Sequence, residues 1–261
     1  MSTQYDNIAA HYDNLTKMPP EKVEHGNIER ILNPYLENAK ILDLACGLGH
    51  YSRRTVELGA TKVVAIDISS GMIESAKAAS STPQYTGKID YRVANCQEPV
   101  EYADGPFDLV LAGWLLNYAP NKKVLTNTFR NAFVNLKSGG MFVGTTMPLT
   151  EDPSKWLVER HEVRPKQKNI IWTEETGKVD DGISIHVMAN TEEKEADNVQ
   201  FDCFHLTESA HQAAAKEAGF EGGMELQELE MPDGLKGRED EEWLRGFLTT
   251  PECTIFVATK P

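Results

Sequence analysis

The stretch Ile41-Leu42-Asp43-Leu44-Ala45-Cys46-Gly47-Leu48-Gly49-His50-Tyr51 decides the fold. It starts as a short apolar run, passes through two glycines and continues as a helical stretch to Leu58, where Gly59 supplies the stop. A brief apolar run bounded by glycine is a buried strand, and glycine just past the last periodic residue is a helix C-cap. A strand that turns through glycines into a helix lets a ligand approach the backbone, because glycine has no Cβ and tolerates unusual φ and ψ.

Downstream of this stretch the pattern repeats. Lys62–Asp67 reads as a strand, Gly71–Ser80 as a helix and Ile89–Ala94 as a strand. Phe107–Ala112 is a fourth strand, Lys122–Leu136 a long helix and Gly140–Thr145 a fifth strand. Strands alternating with helices predict an α/β fold with a parallel sheet covered on both faces. Upstream, residues 1–38 read as polar helices broken at Met18-Pro19-Pro20, the second from about Glu21 to Leu36. Between Pro148 and Phe204 the alternation stops, and the β-prone pieces Asn169–Thr173, Ile183–Met188 and Gln200–His205 predict hairpins. Thr207–Gly219 reads as a capped helix and Cys253–Thr259 as a last strand.

Two cofactor classes use a glycine turn of this kind. A dinucleotide site wants G-x-G-x-x-G, but counting from Gly47 the third position is Ser52. An S-adenosylmethionine (SAM) site takes an acidic residue near the strand end and then small residues at alternate positions, as Asp43, Ala45, Gly47 and Gly49 are here. The cofactor's ammonium and sulfonium are cationic, whereas a dinucleotide's diphosphate is anionic, so the nearby acid favours SAM.

The motif resembles motif I of the class I SAM-dependent methyltransferases, D-x-G-x-G-x-G, with Ala45 standing where the first glycine is usual. The likeness extends to Tyr5-Asp6-Asn7-Ile8-Ala9-Ala10-His11-Tyr12-Asp13, which is similar to the opening lid helix of many small-molecule methyltransferases, and to Phe204–Thr207 and Ala218-Gly219-Phe220. Gln4–Ala9, Asp43–Tyr51 and Leu115–Ala119 together look like the toxoflavin-synthase-like group within that family. The resemblance covers roughly residues 1–145 and 200–261.

It implies a Rossmann-like, seven-stranded, mostly parallel sheet with helices on both faces and an antiparallel last strand. One methyltransferase domain would fill 1–261: a helical lid over 1–38, a SAM-binding core over 39–147, a β-rich substrate cap over 148–200, and completion of the sheet over 201–261.

The cofactor-binding residues implied are Tyr5 and Tyr12 in the lid, then Asp43, Ala45, Cys46, Gly47, Gly49 and Tyr51 around the loop. Asp67, Ile68 and Met72 follow the second strand; Asn95, Cys96 and Gln97 follow the third. Ala112, Trp114, Asn117 and Tyr118 lie at the end of the fourth. Asp67 is placed to take both ribose hydroxyls, a bond that does not separate SAM from a dinucleotide, and it also reads as a helix-capping or turn aspartate. Asn95, where an adenine-binding Asp is usual, equally reads as a turn residue. Trp114, Leu115 and Leu116 are either cleft or core, and Tyr5 and Tyr12 either lid contacts or helix packing. The Asn117-Tyr118 pair is less easily explained by packing, because open α/β sheets bind ligands at the carboxyl ends of their strands.

Methyl transfer is an in-line displacement, so holding the nucleophile supplies much of the catalysis, and a base is needed only if the acceptor must lose a proton. Of the seven histidines, His11 ranks first and His186 second as base or substrate contact, with Tyr12 beside them. His50 lies beside the glycine loop, and Trp156 and Trp172 are candidates for an apolar wall. The competing readings are a SAM-binding regulator or cyclase that transfers no methyl group and, with the third glycine missing, an NAD-dependent oxidoreductase.

Composition narrows the partners. The 261 residues carry a formal net charge of −14, with 26 Lys and Arg against 40 Asp and Glu, which disfavours binding a phosphate backbone. Sixteen acidic and four basic residues fall between 191 and 242, outside the cofactor half. Such acidic stretches usually form a solvated face. The four cysteines are scattered, with no CxxC pair and no metal-ligand spacing, which predicts reduced thiols in the cytoplasm and no bound metal. The polar N-terminus has no signal-peptide layout and no apolar run approaches 18 residues. The expected partner is a small-molecule methyl acceptor, acting on a monomer or homodimer without nucleic acid or membrane.

Overall fold

The computed structural model describes residues 3–6, 12–13, 15, 18–163, 171–189, 199–238 and 241–261. Its main sheet contains β1 (Lys40–Leu44), β2 (Lys62–Asp67), β3 (Ile89–Val93), β4 (Phe107–Gly113), β5 (Leu136–Thr146), β9 (Glu225–Gln227) and β10 (Thr254–Thr259). The strand order is β3-β2-β1-β4-β5-β10-β9, and only β10 runs against its neighbours on both sides. The expected seven-stranded Rossmann-like sheet with an antiparallel last strand is the one observed.

Alternation along the strands feeds two cores. Leu42, Leu44, Val64, Ile66 and Val110 face one side with Phe129, Phe142, Phe220 and Phe256. Ile41, Val63, Ala65, Leu109 and Val143 face the other with Leu32, Val56 and Ile73. Both sides are dry, which is why these strands read as near-continuous apolar runs. Among the described residues seven α-helices of a full turn or more accompany the strands: α1 (Pro19–Leu32), α2 (His50–Glu57), α3 (Ser70–Ala79), α4 (Lys122–Asn135), α5 (Pro153–Val163), α6 (Glu208–Ala218) and α7 (Glu241–Thr249). Local capping sets several starts: Ser69 Oγ accepts from Met72 N at 3.1 Å, and Asn121 Oδ1 from Val124 N at 3.0 Å.

Three strands lie apart, β6 (Ile171–Val179), β7 (Gly182–Ala189) and β8 (Val199–Leu206), in an antiparallel sheet of order β6-β7-β8. Ile183, Ile185 and Val187 turn one face inward on Met147, Leu157 and Cys203. The hairpins expected after Pro148 are this cap. Its third strand runs through Leu206, so the boundary expected at residue 200 moves there: Phe201–Leu206 pair with the cap, and β9 and β10 complete the main sheet. The break expected at Met18-Pro19-Pro20 falls at Met18, and both prolines lie in the first turn of α1, where a proline gives up an N–H that no helical bond needs. Helices α5 and α7 and strand β9 had no clear signal, because their bounds lie among polar residues.

Candidate active site

The order of the parallel strands reverses between β1 and β4, and the crevice outside the carboxyl ends of those strands is where such sheets bind ligands. A cavity of about 410 Å³ opens there. The lid's Tyr5 and Tyr12, the loop's Ala45 and Gly47, and Asp67, Ile68 and Met72 line it. Asn95, Cys96, Gln97, Trp114 and Tyr118 close the far side.

Within this cavity, Asp67 accepts the Gly47 N–H at 2.8 Å and the Ser69 N–H at 2.9 Å, which sets the loop after β1 against the start of α3. Its burial pushes the carboxyl above the usual range despite these bonds. Gly47 has φ +51, with no atom within 4 Å of where a Cβ would stand. Ala45, in the position where a first glycine is usual, also lies in the left-handed region at φ +57. Asn95 takes its turn role, accepting from Gln97 N at 3.0 Å and donating to Glu98 at 3.0 Å. Gln97 Nε2 is buried with no hydrogen-bond partner among the described residues. A dry carboxylate, an open glycine and an orphaned amide donor fit a nucleoside-bearing cofactor.

The lid is tied over this cavity by Asp6, which accepts from Ser69 Oγ at 2.6 Å and Thr3 N at 2.7 Å; these bonds hold its carboxyl down to about 2. The Tyr5 and Tyr118 hydroxyls bond to each other, and Tyr12 meets Tyr5 edge-on at 5.9 Å.

A second cavity of about 180 Å³ adjoins the first beneath the cap, and the two share Tyr12, Ala45, Gly47, Gly113, Trp114 and Tyr118. Cys46, Tyr51 and Asn117, expected on the cofactor, line this second cavity and not the first. Asn117 donates to Phe204 O at 3.3 Å and accepts from Thr146 Oγ1 at 3.2 Å, joining β4, β5 and the cap. Trp114 stands at φ +63 and donates Nε1–H to Glu24 at 3.1 Å. A bulky residue held in the left-handed region is strained, and such strain persists where the surroundings over-determine it. Glu24, 4% exposed, also accepts from Tyr51 at 2.8 Å and Thr145 at 3.0 Å.

Four expected placements need correction. Asp43 shares a strand face with Ile41, so it points at α2 and accepts from Ser52 Oγ at 2.5 Å; burial raises its carboxyl to about 7, and it lines neither cavity. Gly49 caps α2 at φ +74, and a Cβ there would stand 2.4 Å from Tyr91 Oη, which makes it a packing glycine. Ala112 is buried in the core one residue short of the cleft. His186 alternates with the inward-facing Ile185 and Val187, so it lies on the cap's outer face, 2.6 Å from Asp202. His11 lies outside the described residues.

Sequence reading missed Glu21, Glu24, His25, Arg160 and Glu252, all in the second cavity. The only available signal was position: Glu21, Glu24 and His25 share the first turns of the helix after Pro19-Pro20. The phenols of Tyr12, Tyr51 and Tyr118 are driven up by burial, the first two also by nearby carboxylates, so none is a base near neutral pH. Burial lowers the His50 imidazole below its ordinary range, with Nε2 3.3 Å from Asp13.

Residues 41–140 match a family model described as a methyltransferase domain. Over those residues the chain is similar to methyltransferase domains. It is 25% identical over 149 residues to a demethylmenaquinone methyltransferase of Leptospira interrogans, covering 56% of this chain and 59% of that one. It is 31% identical over 130 residues to an mRNA cap guanine-N(7) methyltransferase of Caenorhabditis elegans, covering 45% of this chain and 33% of that one. The chain spans about half the length of the first curated relatives it matches. A solved SAM-dependent methyltransferase of Mesorhizobium loti shares the fold at a TM-score of 0.58, with 20% identity over 90% of this chain and 96% of that one.

Proposed function

We propose that the chain transfers the methyl group of SAM to an oxygen or nitrogen atom of a small-molecule acceptor. The observation that carries this reading is the pair of adjoining cavities, which share the walls at Gly47, Gly113, Trp114 and Tyr118. A protein that only binds the cofactor needs the first cavity; a transferase needs a second one that opens onto it. When bound, SAM supplies an electrophilic methyl on a sulfonium. Asp67 would take the ribose, and Gln97 with the Asn95 turn would border the base. Trp114 and Tyr118 form the wall between acceptor and cofactor, and the cap with the lid tyrosines keeps water out, so positioning in a dry site supplies much of the rate. Among the described residues no helix is long and apolar enough to cross a membrane, in keeping with a cytoplasmic enzyme. Isothermal titration with S-adenosylhomocysteine and incubation with methyl-labelled SAM test the reading: binding with labelled product supports it, and no binding sinks it.

A further inference from the structure

On the reading above, we propose that the acceptor is a compact amine carrying a hydrogen-bond-accepting oxygen, methylated on nitrogen, with Glu21 as the carboxylate that meets the ammonium and takes its proton. The second cavity is apolar along Trp114, Trp156 and Tyr118, and its lining also takes in Glu21 and Glu24. Its cation, Arg160, is 4% exposed and already held by Glu252 at 2.7 Å, by Ile171 O at 2.8 Å and by Thr173 at 3.3 Å. The cavity thus keeps uncompensated acid. Glu24 is fixed by three donors, whereas among the described residues the Glu21 carboxylate meets His25 at 3.9 Å.

A second observation points the same way. Arg160 Nε is buried with no hydrogen-bond partner among the described residues, a donor that an oxygen on the ligand would satisfy. Burial and the neighbouring Glu24 and Glu252 carboxylates hold Glu21 well above the ordinary range, so it readily accepts a proton, and a cation beside it favours its ionised form. The step balances: Glu21 removes one ammonium proton, the nitrogen lone pair forms the N–C bond, and the C–S pair leaves on sulfur as the neutral thioether. The proton on Glu21 then passes to solvent.

Tyramine, 2-(4-hydroxyphenyl)ethanol and 4-hydroxyphenylacetate form a test series of one shape, differing in the amine, alcohol or carboxylate. Each is titrated into protein loaded with S-adenosylhomocysteine, then incubated with methyl-labelled SAM and the product located by mass spectrometry. The expected result is tyramine binding at least about tenfold tighter than the alcohol and label on its nitrogen. Glu21→Gln should lower kcat/KM for tyramine by at least about tenfold while S-adenosylhomocysteine affinity stays within about twofold. Label on oxygen, or none on tyramine, with S-adenosylhomocysteine bound overturns the inference and leaves the transferase reading standing. An equal loss of S-adenosylhomocysteine affinity in Glu21→Gln also overturns it, by assigning Glu21 to the cofactor. Failure of wild-type protein to bind S-adenosylhomocysteine removes the transferase reading instead.

Discussion

Along β1, successive residues alternate between two buried faces, Ile41 to one side and Leu42 to the other. Along β7 they alternate between a buried face and a half-exposed one, Val187 inward and His186 outward. The first arrangement leaves ligands no access except at the strand ends, where backbone and a few anchored side chains, such as Asp67 on Gly47, form the site. The second lets every other side chain reach a cavity, so the second cavity is lined by single residues drawn from α1, α5, the cap and the segment before β10. The half around the first cavity is thus a product of topology, and the half around the second a product of side-chain choice.

The largest test of that division falls on the cap. Arg160→Ala removes the bonds to Glu252, Ile171 O and Thr173 together with the contact over Trp156 at 5.7 Å. It should cost about 3–4 kcal/mol in denaturant unfolding and leave S-adenosylhomocysteine affinity within about twofold. An equal loss of cofactor affinity would show that the two halves are one unit. Asp67→Ala is the converse: cofactor affinity should fall about 100-fold, close to 2.8 kcal/mol, while hydrogen exchange in β7 stays protected. Exposure of β7 would break the comparison from the other side.

The halves should also respond to pH with opposite sign. Asp43, raised to about 7 by burial, holds a proton in the folded chain that the unfolded chain has released, so stability falls as pH rises from about 4 to 7. His205 in the cap is lowered to about 4 by burial, so the unfolded chain binds the proton first, and stability is lost as pH falls from about 6.5 to 4. Asp43→Asn should therefore gain about 1–2 kcal/mol relative to the parent at pH 8 and leave a melting profile that rises between pH 4 and 6.5. A profile unchanged by the substitution would remove Asp43 as the source of the slope.

Two smaller effects sharpen the picture. Ala45→Gly relieves a left-handed φ and should raise stability by up to about 1 kcal/mol. His186→Ala breaks an ion pair with a largely exposed Asp202 and should cost under about 1 kcal/mol in stability. Its kcat should be unchanged; a tenfold drop in labelled product would return His186 to the chemistry.

The parallel sheet was legible because a doubly buried strand has to be an unbroken apolar run, and the loops that follow such strands are short enough to place their residues by counting. Gly47, Asp67 and Asn95 to Gln97 all line the crevice at the ends of the parallel strands. Three of the misplaced residues share a different feature. Asp43, Ala112 and His186 each sit on a strand that the sequence predicts, but the direction of a side chain depends on register, and a shift of one residue exchanges cavity for core or solvent. The residues of the second cavity left no motif at all, since Glu21, Arg160 and Glu252 are more than ninety residues apart even at their closest and meet only through long-range packing.

By itself, then, the sequence determined the α/β architecture, the crevice at the end of β1 and the carboxylate that ends β2, because strand periodicity and glycine placement are local properties of the chain. The tertiary structure alone decided that Glu24 gathers Tyr51, Trp114 and Thr145, that Glu21 and Arg160 face one cavity, and that His186 is turned away from it. Those facts depend on which faces of separate elements are brought together, and no stretch of sequence contains them.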